Sequence, residues 1–342
     1  MRRRILLFVL LAGLAVSGYL QEAQVEFSNY QEMRAAVGKL YQEKKYQEAA
    51  DILEKALSRF PDRIKANTYN LALMQAHLGN FEKAAKSLLY AIDKGIWFGK
   101  YDFQPAVWAP LRESDAFKAF QARNEAMKQE AQKSAKPELL VVTPEGYTPD
   151  KKYPLFLALH GGGENIAGFK ENWKSEKMKK EFIVAYPQSS LLIGMDSFNW
   201  TEDLEISKKE IADAYRNVVG HYAVDTQRVI IGGFSSGGVA SLEVLLNEVV
   251  PAEGFIVLCP AKPESFTSEK VKKAREKGVS GTLLTTEMDD RVDQQKAMDE
   301  IMKAEGMPHQ FFITPNVGHW YPDDLGRRID EAVEFIRNHR KK

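Results

Sequence analysis

Two rhythms of apolar residues divide the chain. From about Ser28 to Lys136 it is helix-like, rich in Ala, Glu, Lys, Gln and Leu. Beyond Pro137, short apolar runs alternate with amphipathic stretches. The runs predict strands at Leu139–Thr143, Leu155–Leu159, Phe182–Ala185, Val229–Ile231, Phe255–Leu258, Thr282–Thr286 and Gln310–Ile313. Between and after them, helices are expected at Lys208–Tyr222, Val239–Glu248, Gln294–Glu305 and Leu325–His339. Strands apolar on both faces, alternating with helices, mean a mostly parallel sheet covered on both sides. Ligands of such sheets bind beyond the carboxyl ends of the strands. Gln121 to Lys136 is charged and Pro137 stops it, so the helical domain is set at 24–136 and the α/β domain at 137–342.

The helical part repeats. Lys45-Tyr-Gln-Glu-Ala-Ala50 is echoed by Asn80-Phe-Glu-Lys-Ala-Ala85, a shift of 35 residues that also maps Leu53 onto Leu88 and Ala56 onto Ala91. Small alanines let two antiparallel helices approach closely, with Tyr46 or Phe81 at the corner. Over about residues 30–95 this resembles the tetratricopeptide repeat, a helix-turn-helix unit of about 34 residues. The Trp and Gly positions of that repeat's first helix are not matched. Two units are few for a stack, and the aromatics between Ile96 and Gln121 are expected to cap it. Trp97, Phe98 and Trp108 are expected to pack on the second domain near the carboxyl ends of its strands, since so many clustered rings would otherwise leave an apolar patch open. The repeats offer either a groove for a protein partner or a brace for the second domain. His77 reads as a helix-surface or core residue.

The amino terminus carries an address. Arg2, Arg3 and Arg4 precede the apolar run Ile5–Val16 and the small residues Ser17 and Gly18, the layout of a secretory signal within residues 1–23. Secretion or a periplasmic location is expected, with an uncleaved membrane anchor as the alternative. Basic and acidic residues balance at 47 each, so nothing suggests a nucleic-acid surface. The lone cysteine, Cys259, lies in an apolar run and reads as core packing. No spacing of metal ligands or phosphate-loop motif appears, so neither a metal nor another cofactor is expected.

Candidate chemistry lies just after the apolar runs. The Val229–Ile231 run enters Gly233-Phe-Ser235-Ser236-Gly237, and a helix follows. This is the context of a nucleophile elbow, where the central serine sits on a strained turn and its neighbours two residues away must be small. Centring on Ser235 puts Gly233 and Gly237 there, whereas centring on Ser236 would put Phe234 there. After Leu155–Leu159 comes His160-Gly-Gly162-Gly163, whose bare backbone can approach a developing oxyanion. One donor is assigned to the Gly162 N–H and the other to the Ser236 N–H, with His160 holding the loop. After Thr282–Thr286 come Asp289, Asp290 and Asp293. Asp289 is the chosen triad acid and Asp290 its competitor. After the last strand, Gly318-His319 supplies a general base. Trp200 and Trp320 are expected near the substrate.

The order Ser235, Asp289, His319 matches that of the α/β-hydrolases. Residues 137–342 resemble that superfamily, and most of all its phospholipase/carboxylesterase group, through Arg228 to Gly238, Leu159 to Gly163 and Gly318-His319. Gly194 to Trp200 stands where that group carries a Trp-containing substrate loop. Ser236 replaces the group's usual Gln, and Thr286 its usual Gly. The resemblance implies a doubly wound sheet and a small-molecule carboxylic ester as substrate, cleaved through an acyl-enzyme. A serine peptidase is the nearest alternative, for which Glu202, Asp203 or Glu205 would supply a pocket charge. A non-catalytic repeat scaffold is the third reading.

Overall fold

The computed structural model describes residues 27–104 and 106–340; the proposed leader, residues 1–23, lies outside them. The helical half opens with two antiparallel pairs, α1 (Tyr30–Gln42) with α2 (Tyr46–Arg59) and α3 (Ile64–His77) with α4 (Phe81–Asp93). Sequence repetition becomes backbone repetition here. Lys44 and Gly79 both take left-handed φ, at 57° and 74°. The following amides close the same turn, Lys45 N–H to Leu40 O and Asn80 N–H to Gln75 O, both at 2.9 Å. Ala49, Ala50, Leu53 and Ala56 are buried in one unit, Ala84, Ala85, Leu88 and Ala91 in the other. A short α5 (Ala109–Arg112) and the long α6 (Asp115–Ser134, capped by Ser114) complete this half.

The aromatic segment behaves differently from expectation. Phe98, Trp108, Phe117 and Phe120 are buried among themselves and against Tyr69 and Phe103. Trp108 therefore closes the helical half's own core and does not pack on the sheet domain; the rings satisfy one another. The junction is made by backbone groups, the Gln132 amide, the Lys100–Glu202 pair and Leu192.

In the second half a seven-stranded sheet runs in the order β1 (Glu138–Val142), β3 (Ile183–Gln188), β2 (Tyr153–Leu159), β6 (Val224–Phe234), β7 (Gly254–Leu258), β8 (Ser280–Thr286), β9 (His309–Thr314). Only β1, at the edge, is antiparallel to its neighbour. All seven predicted strands are present. Successive side chains point to opposite faces. Leu155, Leu157 and Leu159 thus join a core with Ile231, Val257 and Leu283 under α9 (Leu204–His221), α10 (Ser236–Leu246), α11 (Ser268–Glu276) and α12 (Val292–Ala304). Phe156 and Ala158 join the opposite core with Ile230, Ile256 and Leu284. That face is covered by α7 (Ile166–Asn172), α8 (Glu176–Glu181) and α13 (Leu325–His339). The molecule is a mixed α/β protein preceded by an all-helical part.

The sequence pattern gave no sign of a small hairpin, β4 (Leu192–Gly194) with β5 (Ser197–Phe198), in the loop after β3. It is here that the two halves meet. Gln132 of α6 donates to Ser190 O at 2.8 Å and accepts from Leu192 N–H at 2.9 Å. Lys100 N–H donates to Ile193 O at 2.8 Å, and Trp97 N–H points at the Met195 sulfur, 3.4 Å away. Leu192 packs into the aromatic cluster of the helices.

Candidate active site

At the end of β6 the chain makes one abrupt change of direction. Ser235 takes φ 51° and ψ −114°, left-handed backbone that a serine adopts only under compulsion. Its N–H is held by Leu258 O at 2.8 Å, and α10 begins at the next residue. The flanking glycines are obligatory. A Cβ on Gly233 would sit 2.3 Å from Leu159 O, and one on Gly237 would sit 2.2 Å from the same oxygen and 2.4 Å from His160 O.

The loops after β8 and β9 converge on this serine. His319 Nε2 lies 2.8 Å from Ser235 Oγ, and its Nδ1 lies 2.7 Å from Asp289 Oδ2. The Asp289 side chain is fully buried, while His319 keeps about a third of its side-chain surface, at 31%. Burial alone would raise the Asp289 carboxyl. Hydrogen bonds from His319, the Cys259 thiol and the Arg291 N–H outweigh it and hold the group well below the usual carboxylate range. Asp290 lies outside this cluster: its side chain is 77% exposed and loosely paired with Arg291 at 3.7 Å. Asp293 is 90% exposed and bound to Lys296. Thr286, where the resembled group has Gly, donates its hydroxyl to Gly318 O at 2.7 Å and so ties β8 to the histidine loop.

The glycine loop after β2 is fixed from several sides. His160 is wholly buried; its Nδ1 lies 2.8 Å from Gly161 O and its Nε2 accepts from Ser189 N–H at 3.3 Å, which defines a neutral ring. Burial holds it down at about 4. Gly161 N–H donates to Glu164 Oε2 at 2.7 Å, and Gly163 N–H to Phe198 O at 2.9 Å. The Gly162 N–H and the Ser236 N–H make no hydrogen bond among the described residues. Ser236 Oγ is buried without a partner and lies 3.4 Å from where a Gly162 Cβ would stand. Asn199 Oδ1 flanks the same point at 3.1 Å. Burial raises the Glu164 carboxyl, partly offset by donation from Tyr321 and Gly161. Tyr321, the residue after Trp320, donates its hydroxyl to both Glu164 oxygens at 2.8 and 2.7 Å and so ties this loop to the histidine loop.

Of the two tryptophans expected near substrate, only Trp320 reaches the surface, 58% exposed beside His319. Trp200 is a correction. It is fully buried in the core, its ring 5.0 Å from that of His160, so it backs the glycine loop and cannot wall an open pocket. The acidic residues beside it are likewise engaged. Asp203 caps α9, Glu205 pairs with Lys208, and Glu202 accepts from Lys100 Nζ at 2.8 Å and Asn199 at 2.9 Å. Sequence reasoning missed Glu164, Arg291 and Tyr321. Each lies within two residues of a segment already singled out, and that adjacency was the available signal.

Cys259, Asp289 and His319 form the one cluster of metal-ligand type among the described residues, their donor atoms within 4.8 Å of one another. The donor set does not fit a metal. Burial pushes the thiol up to about 12, and both histidine nitrogens are taken by Asp289 and Ser235. Cys259 is buried as expected, but directly beneath the acid.

Compared with protein-family models and with curated proteins, the chain finds no match. Among solved structures it is similar to an uncharacterized protein from Bacillus cereus, with 24% identity over 91% of this chain and 99% of that one, at a TM-score of 0.52. It is also similar to a Bacillus cereus carboxylesterase, at 14% identity over 62% of this chain and 99% of the other, with a TM-score of 0.47. A feruloyl esterase module from Clostridium thermocellum gives 19% identity over 60% and 84%, with a TM-score of 0.46. The first is a likeness of fold, and at 91% of this chain it extends beyond the sheet into the helical half.

Proposed function

We propose that the chain is an α/β-hydrolase of the serine esterase type. The observation that carries this is the unbroken relay from Ser235 Oγ through His319 to Asp289, with steps of 2.8 and 2.7 Å. A strained elbow and two unpaired N–H groups beside it add support. In the reaction, His319 Nε2 takes the Ser235 proton as the oxygen attacks the ester carbonyl. Gly162 and Ser236 N–H groups stabilise the tetrahedral oxyanion. His319 then gives the proton to the departing alkoxide, leaving an acyl-enzyme and an alcohol. Water enters by the same route: its proton goes to His319, its oxygen to the acyl carbon, and the acid departs as Ser235 regains its proton. Asp289 orients the imidazole and stabilises its cationic form.

Export through the amino-terminal segment, and a tetratricopeptide-like role of the helices toward a protein partner, belong to the same reading. The test is a panel of chromogenic esters and peptide amides on one preparation, with and without a fluorophosphonate. Ester turnover abolished by the label is expected; turnover of amides alone would favour a peptidase, and no turnover or labelling would reject the enzyme.

A further inference from the structure

The charge on Arg291 is unaccounted for by the relay, yet it touches the relay's centre. Two residues after the acid, Arg291 gives its N–H to Asp289 Oδ1 at 2.7 Å, so its backbone is fixed. Its Nη1 lies 3.3 Å from His319 Nδ1 and 3.2 Å from Nε2. Both ring nitrogens are already engaged, by Asp289 and by Ser235. The guanidinium therefore lies against the ring while its remaining donors stay open, and the side chain is 34% exposed.

No firm acidic partner faces it. Asp290 stands 3.7 Å away and is largely solvated. Glu164 is held by Tyr321 and Gly161, Glu287 by the Asn316 N–H, and Asp293 by Lys296. The neighbouring loop after β7 is joined to α12 by Lys262 N–H to Gln294 at 3.0 Å and Gln295 to Pro260 O at 3.1 Å. Lys262 on that loop is half-buried and forms no ion pair among the described residues. A cation against a ring that must itself become cationic opposes the reaction by like-charge repulsion. An anion brought by the substrate would cancel that opposition.

We infer that Arg291 is an anion subsite, and that the preferred esters carry a carboxylate on their alcohol portion. This rests on the esterase reading above. The side is set by proton traffic: Nε2 hands its proton to the leaving oxygen, which brings the alcohol portion to Nε2 and within reach of the guanidinium whose Nη1 lies 3.2 Å from that nitrogen. The acyl oxygen faces the Gly162 and Ser236 amides instead. A guanidinium fork matches a carboxylate through paired hydrogen bonds, which a lysine ammonium cannot reproduce.

The experiment compares kcat/KM of the full chain for 3-acetoxybenzoate and for its methyl ester, which share acyl group and leaving oxygen. Wild type should prefer the acid by about 30- to 100-fold at low salt, a preference that shrinks as sodium chloride is added. Arg291→Lys should keep a fraction of it. Arg291→Met should bring the ratio to about one, partly through faster turnover of the methyl ester as the repulsion is removed. Fluorophosphonate labelling of each variant certifies a folded nucleophile; should Arg291→Met not fold, Arg291→Lys and the salt series carry the test. A wild-type ratio of one, or a preference that survives Arg291→Met, overturns the inference. Failure of wild type to turn over either ester or to take the label rejects the esterase reading, and this inference with it.

Discussion

Among single residues, Ser235 and Ser236 are adjacent and chemically identical, and the backbone alone separates the roles proposed for them. Ser235→Ala should abolish fluorophosphonate labelling and lower kcat by about 10⁴- to 10⁶-fold. Ser236→Ala should keep the label, because the amide it offers survives. It should also not lose thermal stability, since the hydroxyl removed is buried without a partner. Labelling retained in Ser235→Ala would overturn the proposed nucleophile. Asp289→Asn should cost roughly 10⁴ in kcat, whereas Asp290→Asn, at an exposed ion pair, should cost little. Ser235 and His319 were legible because glycines and strand ends betray them. Asp289 was separable from Asp290 only in three dimensions, where one carboxylate is buried on the histidine and the other is in water. Trp200 was misread because a tryptophan beside a catalytic loop looks the same in sequence whether it faces in or out.

For individual elements, the strand–turn–helix from β6 to α10 and the glycine loop after β2 are one fitted piece. Gly237→Ala would drive a methyl group into two carbonyl oxygens, and the cost should be at least about 1–3 kcal/mol, read as a lower urea midpoint. Glu164 supplies a pH signature. Its carboxyl is raised by burial, so its contribution to stability is fully present below the unfolded value of about 4.3 and is lost as pH climbs through the raised folded value. The stability of wild type relative to Glu164→Gln should therefore fall with rising pH across that window; urea midpoints at a series of pH values measure it, and a flat difference would contradict the assignment. Strands of the sheet were readable because burial on both faces leaves continuous apolar runs. The β4–β5 hairpin was not. Its two strands are three and two residues long, too short for any period to show.

Across the whole molecule, a path of contacts joins the helices to the glycine loop. Lys100 holds Glu202, Glu202 holds Asn199, and Asn199 flanks Gly162; the hairpin between them pairs with Gly163 and Glu164 through Phe198. Lys100→Met should cost at most about 1 kcal/mol of stability, as expected for a partly exposed pair. It should nonetheless lower kcat several-fold with KM little changed, because a displaced oxyanion donor is felt in the transition state. A fragment 137–342 should show a larger loss and poorer solubility; a fragment that is soluble and catalytically unchanged would make the helices an independent module. The repeat and the two-part division were evident in sequence, but their junction was not. Backbone groups, the Gln132 amide and the Lys100–Glu202 pair hold it, with Leu192 packed between, and no pattern of apolar residues announces that set.

That junction also sets an order in time. The helical pairs close through contacts between near neighbours in the chain, which form quickly, whereas the parallel sheet joins distant strands and forms slowly. The helices also precede the sheet as the chain is made. The hairpin therefore meets a finished docking surface, and the glycine loop that it braces settles into its final position at that meeting. In refolding from urea, helical circular dichroism should return first and fluorophosphonate reactivity last.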